Sequence, residues 1–282
     1  MFARLSRSWG LMKASGSVLM ANKRLMVFPV LSSICTLIVA ASFLLPAYAG
    51  GVFTQFDRGH PMTPGSAALL FVFYLVQYFI VIFFNSALVG AALIYLRGGS
   101  PTVSDGLSVA MSKLPSIFGY AVISATVGMV LRAIQERAGF IGRWIVGLLG
   151  VAWTLATFLV VPVLVNKDVG PIDAVKESAQ LLKRTWGENL IGNVGIGLAF
   201  GLLSILVVLA GMALVFLAIS THAIGVIVLT VALCIAALLT LAVIQGALHG
   251  IYSAAVYRYA EEGDAGTGFD KALVADAFKI KA

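Results

Sequence analysis

Apolar runs without a charge recur along the whole chain, and several are too long to be one face of a soluble element. A helix rises about 1.5 Å per residue, so about 20 apolar residues cross a hydrocarbon core about 30 Å thick. Runs of that kind fall near residues 25–48, 66–96, 115–135, 144–165, 190–219 and 224–257. They predict an all-α fold, a polytopic transmembrane bundle of about six spans forming one integral membrane domain over residues 1–282. Composition leads to the same place: 11% of residues are charged, against about 25% in soluble domains. The second and sixth runs exceed what a bilayer needs, which implies tilt or projection beyond it. Ser220-Thr221-His222-Ala223 is the only break between the last two runs, so a five-span reading stays open.

Orientation follows from lysine and arginine. Fifteen of the nineteen, including Lys23, Arg24, Arg97, Lys167 and Arg258, fall on one side, which is therefore expected to be cytoplasmic with both termini. The other side receives Arg58, Arg132, Arg137 and Arg143, and the loop holding the last three fits the rule poorly. The net charge of +7 does not imply nucleic acid, because the basic residues flank spans and form no stripe. Ala47-Tyr48-Ala49 resembles a cleavage site, but the run before it is span-length and predicts an uncleaved first span. Cys35 and Cys234 lie in apolar runs and read as small core hydrophobes.

Between spans the chain turns amphipathic at helical spacing. Phe2, Leu5, Trp9, Met12, Gly16 and Leu19 form one stripe, with Ser8 and Ser15 off it. Val103, Leu107, Ala110 and Leu114 form a second; Ile172, Val175, Ala179, Leu182 and Trp186 a third; Phe269, Leu273, Ala277 and Ile280 a shorter last one. Ser8–Lys13 aligns with Ser178–Lys183, and Asp105 and Asp173 sit near helix starts, where carboxylates cap. The pattern predicts a three-fold parallel repeat of interfacial helix plus hairpin over 1–97, 98–166 and 167–258, then a cytoplasmic tail over 259–282. These helices either dock lipid or a partner at the inner leaflet, or simply cover the end of the bundle.

Ser6-Arg7-Ser8-Trp9 and Lys23-Arg24-Leu25-Met26-Val27-Phe28-Pro29 resemble the start of an uncharacterised family of bacterial six-pass membrane proteins. Val256-Tyr257-Arg258-Tyr259-Ala260, Gly268-Phe269-Asp270 and Ala277-Phe278-Lys279 resemble its ending. More loosely, the helix-plus-hairpin plan is similar to the membrane domain of glycerophosphodiester phosphodiesterase proteins. The family resemblance implies a bacterial inner membrane and carries no activity with it.

Polar residues inside spans are the functional candidates. No acid falls deep in a span, which counts against proton- or sodium-coupled transport. With this topology Asn85, Asn193, Gln245 and His249 gather near the inner leaflet. They are read as lining a small cavity, as meeting headgroups, or as ordinary interhelical hydrogen bonds worth about 0.6 kcal/mol each. Gln77 and Arg132 complete the polar set, and Arg132 with Glu136 reads as a helix-end ion pair. Gly197 and Gly201, Gly246 and Gly250, and Ser86 and Gly90 have the four-residue spacing that lets helix backbones approach. Gly195-Ile196-Gly197 follows no strand, so a dinucleotide reading fails. Neither His249 nor His60 and His222 have metal-ligand spacing. No cofactor, metal or catalytic set is expected. The sequence favours a non-enzymatic scaffold with membrane lipid, a second copy or a membrane protein as partner, and leaves an uncoupled permease or channel open.

Overall fold

The computed structural model describes residues 2–49, 64–184, 189–220 and 223–269, while the side chains of 2–9, 11, 184, 189–196, 198 and 220 lie outside the described set. Among the described residues all regular structure is helical. An amphipathic α1, Phe2–Ala21, leads through a 3-10 turn, Lys23–Met26, into α2, Val27–Ala49. Next come α3, Pro64–Leu96; α4, Val103–Ser112; α5, Leu114–Arg137; α6, Phe140–Ala156; and α7, Val160–Asn166. The chain continues with α8, Pro171–Arg184; α9, Asn189–Ser220; and α10, Ile224–Glu262.

Among the described residues six segments are long and apolar enough to cross a membrane: Lys23–Ala49, Pro64–Leu96, Leu114–Arg137, Phe140–Asn166, Ala199–Ile219 and Ile224–Glu262. The chain is a multi-pass membrane protein. Ser220 ends α9 and Ile224 starts α10, so the last two runs are separate spans. The fourth span is discontinuous: α6 stops at Ala156 and α7 restarts at Val160.

Burial is concentrated at one end. α10 has 39 residues, which is ~58 Å of helix against a hydrocarbon core of about 30 Å. Its outer half exposes Val228, Leu229, Leu233 and Ile235, whereas Ala247, Leu248 and Gly250–Tyr257 are buried. α3 repeats the division, with exposed Leu69 and Val72 and a buried stretch Ser86–Leu93. α7 is buried from Val160 to Val165. The deep ends of α3, α7 and α10 pack on one another, and α4 lies on α3, α8 on α6 and α7, and α1 on α9 and α10. Together α1, α4 and α8 form a collar.

α1 and α8 bury parts of their predicted stripes, Leu19 and Leu182, together with residues beside them. On α8 the buried residues are Ala174, Ser178, Leu181 and Leu182, while Ile172 is 61% exposed. On α1 they are Ser15, Val18 and Leu19, while nothing described lies within 4 Å of a Cβ at Gly16. α4 keeps its predicted face, with Ala110 buried and Val103 and Leu107 against the core. Ser15, Ala174 and Ser178 join Leu19 and Leu182 inside because a small side chain fits where helices approach closely. Trp186 and residues 270–282, with most of the last stripe, lie outside the described residues.

α4 begins with a reciprocal cap: the Asp105 amide donates to Thr102 Oγ1 at 3.2 Å, and the Thr102 amide donates to Asp105 Oδ2 at 2.8 Å. These bonds hold the Asp105 carboxyl below its ordinary value. Lys113, pairing across to the α7–α8 turn, does the same for Asp168. A lowered folded-state value means that each carboxylate stabilises the fold above its unfolded titration point, and that this is lost as pH falls through the folded one. In detergent, the melting midpoint is therefore expected to fall as pH drops below about 4. The variant D105N/D168N should start lower at neutral pH and show a shallower acid dependence. A parallel acid profile would mean that neither carboxylate is held as described.

Candidate functional site

Three helix ends meet at the collar end of the bundle and deliver polar groups to one another. α3 ends at Leu96, and Gly98 then takes φ 86, a left-handed conformation that glycine adopts without a Cβ clash. The turn leaves the Arg97 guanidinium donating to Asn166 Oδ1 at 2.9 Å and to Glu262 Oε1 at 3.0 Å. Asn166, the last residue of α7, donates through Nδ2 to the Tyr257 hydroxyl at 2.9 Å. Arg258 donates to Glu262 Oε2 at 2.9 Å and to the Leu96 carbonyl, which also accepts from the Thr267 amide at 3.1 Å. The carbonyl end of α3, the negative pole of its dipole, is thus closed by a cation and an amide.

Lys167 joins α8 to this set by pairing with Glu177 and, at 3.1 Å, with Glu261. Partial burial works against its charge, yet the two carboxylates hold the ammonium above the ordinary lysine value. An open polar cavity of about 450 Å³ lies beside it, lined by Lys167, Asp173, Lys176, Glu177, Gln180 and Glu261. Lys176 pairs with Asp173 at 3.1 Å. Pairs this exposed contribute only about 0–1 kcal/mol each. Their consequence is geometric, because they tie the ends of α3, α7, α8 and α10 together.

One layer deeper lies the break in the fourth span. Pro162 has no amide hydrogen to donate to the Phe158 carbonyl, and its ring crowds that carbonyl, so the helix cannot run through. The buried Leu159 amide, left without a helical partner, donates to Ser178 Oγ of α8 at 3.0 Å. Thr157 turns its hydroxyl back to the Trp153 carbonyl at 2.8 Å, and the Tyr120 hydroxyl lies against Thr157 and Ser124. The Phe158 ring meets His249 edge-on, with centroids 5.5 Å apart, and lies 6.0 Å from Tyr252.

The structure brings some sequence candidates together and not others. A Cβ built on Gly250 would stand 3.1 Å from Asn85 Oδ1, so Asn85 and the His249-Gly250 step share one level. Gln245 is half-buried one turn earlier in α10. Asn193 lies on α9, but its side chain is outside the described residues. Gly250 and Gly90 sit at close contacts, against Leu88 and against Val109 at 2.8 Å. Ser86 is fully buried. Gly246 has only Pro29 near it, at 3.9 Å, and nothing described lies within 4 Å of a Cβ at Gly197 or Gly201. Among the described residues no close approach is seen at Gly197, Gly201 or Gly246. In α9 the close approach is at Gly211, where a Cβ would meet Cys234 Sγ of α10 at 2.6 Å. Arg132 pairs with Glu136 at 2.9 Å as predicted. Sequence reasoning missed Thr157, Ser178 and Tyr120; Pro162, alone in its apolar run, was the available signal.

A model of a family of unknown function, DUF6159, matches residues 65–269, from the start of α3 to the turn beside Leu96. The chain belongs to the DUF6159 family. The DUF6159 match takes in the broken span, the meeting point of α3, α7 and α10, and Val256–Ala260. It leaves out everything before residue 65, and with it Ser6–Trp9 and Lys23–Pro29. No curated protein matches the chain, glycerophosphodiester phosphodiesterase proteins included.

Proposed function

We propose that the protein is a non-enzymatic scaffold of the bacterial inner membrane, holding lipid or a membrane partner through its collar. The collar and both chain ends face the cytoplasm, on the side that carries fifteen of the nineteen basic residues. The observation that carries this reading is the packing order. α4 rests on the arm α3 of the preceding hairpin, α8 rests on α6 and α7 of its predecessor, and α1 rests on α9 and α10 of the last. Three units, 1–97, 98–166 and 167–258, thus close head to tail around α3, α7 and α10. Fully buried Ala87, Ala92, Val163, Leu164, Ile251 and Ala254 fill that centre, and the Arg97–Asn166–Glu262 set lies over it. A solid, tied-down end suits a platform better than a conduit. The polar layer of Asn85, Gln245 and His249 then serves interhelical contact or headgroups, and oligomer contacts fall to the lipid-facing helices.

A permease is the second reading, favoured by the broken fourth span, since discontinuous helices build many transporter sites. Purified protein in liposomes separates the two. The scaffold reading expects no flux of small dyes or ions above empty vesicles. Flux lost on Asn85→Leu or Ser178→Ala would overturn it in favour of the permease.

A further inference from the structure

The collar end separates its charges. Arg97, Lys113, Lys167, Lys176 and Arg258 each pair with a carboxylate. Lys13, Lys23, Arg24 and Lys183 form no ion pair among the described residues. Two of these four are consecutive and sit at the elbow where α1 turns into α2.

That elbow is held rigidly. Asn22 caps the 3-10 turn, accepting from the Arg24 amide at 3.2 Å, and its Nδ2 reaches the Pro101 carbonyl at 3.5 Å. Leu25 and Phe28, each 1% exposed, anchor the turn in the core. Lys23 and Arg24 therefore point away from the core and are exposed. Directly after them α2 presents Val27, Val30, Ile34 and Ile38 outward, the face of a lipid-exposed helix. The two cations thus stand at the depth where a hydrocarbon face ends and headgroups begin. Just before them Met20 is 77% exposed, and the other collar helices likewise turn one large apolar side chain outward, Met111 at 58% and Ile172 at 61%. Outward apolar side chains beside cations are what an interfacial helix presents to a bilayer.

We infer that the elbow is a binding site for the headgroup of an anionic phospholipid, with Lys23 and Arg24 on the phosphate and Met20 among the acyl chains. The site gives the lipid-holding role proposed above a specific ligand class and rests on that reading. Each basic residue near an anionic surface is worth about fivefold in binding, so the pair supplies about 25-fold.

The test is native mass spectrometry of the full chain from mixed micelles of phosphatidylglycerol and phosphatidylcholine in equal amounts. Wild type should retain phosphatidylglycerol in preference. K23Q/R24Q should lose that preference by about 25-fold, while K176Q, which removes a paired cation, should keep it. Equal retention of both lipids by wild type, or unchanged preference in K23Q/R24Q, overturns the site. Should K23Q/R24Q not extract as a monodisperse protein, K23R/R24K and wild type at high salt decide. The first must retain the preference and the second must lose it, and the reverse of either overturns the site. Flux in the liposome assay would sink the scaffold reading without moving this lipid preference, so the two failures are distinguishable.

Discussion

Gly106→Ala is expected to loosen or unfold the collar end, whereas Gly201→Ala is expected to leave stability unchanged or slightly raised. A Cβ at Gly106 would stand 2.5 Å from Phe28 Cζ and 2.6 Å from the Ala87 carbonyl oxygen. The ring is itself 1% exposed and has nowhere to go, and the carbonyl belongs to the middle of α3. Added volume in a filled site costs about 1–3 kcal/mol, and a backbone obstacle puts this case at about 2–4 kcal/mol. Gly250→Ala meets side chains and no backbone atom among its nearest neighbours, Leu88 and Asn85 Oδ1, so about 1–3 kcal/mol is expected there. At Gly201 no described atom is near, and alanine gains helix propensity of up to about 1 kcal/mol. Melting in mild detergent, followed by loss of the monodisperse chromatographic peak, ranks the three. A Gly106→Ala protein as stable as wild type would mean that α4 is not seated on α3, and the closed collar would fall with it.

The same contrast shows what the sequence made legible. Long uncharged runs located the first four spans to within four residues, because a bilayer imposes both length and the exclusion of charge. Ser220 and Ile224 bound the last turn as expected, and Arg132–Glu136 appeared from i,i+4 spacing alone. Close packing was less readable. Gly197 and Gly201 have the four-residue spacing and no described neighbour, while Gly211, with valine four residues to either side, would bring a Cβ to 2.6 Å from Cys234 Sγ. Spacing identifies which residues share a face, not what that face meets. Ser15, set off its stripe, and Ser178, given no place on its helix, are both fully buried, for a related reason. Apolarity was taken as the mark of a buried position, yet at both sites a small side chain is what the neighbouring helix admits.

Ser178 is also where the fold is most exposed to a single atom. Ser178→Ala removes the acceptor of the Leu159 amide, which is buried together with its partner. An orphaned buried donor costs about 1–3 kcal/mol. Pro162 gives the means to show that the cost belongs to the break and not to α8. Replacing it by alanine returns a donor for the Phe158 carbonyl, so the helix can run on and the Leu159 amide can revert to the Leu155 carbonyl one turn back. Ser178→Ala should then cost little in the Pro162→Ala background, with a coupling of about 1–2 kcal/mol in the double-mutant cycle. Hydrogen exchange gives a second readout: the Leu159 amide should exchange faster in Ser178→Ala and be protected again in the double variant. Additive effects together with an unchanged Leu159 amide would mean that the collar does not hold the break. If the coupling is found, α8 sets the shape of the fourth span through one hydroxyl, and whatever binds the collar acts on the membrane bundle through that bond.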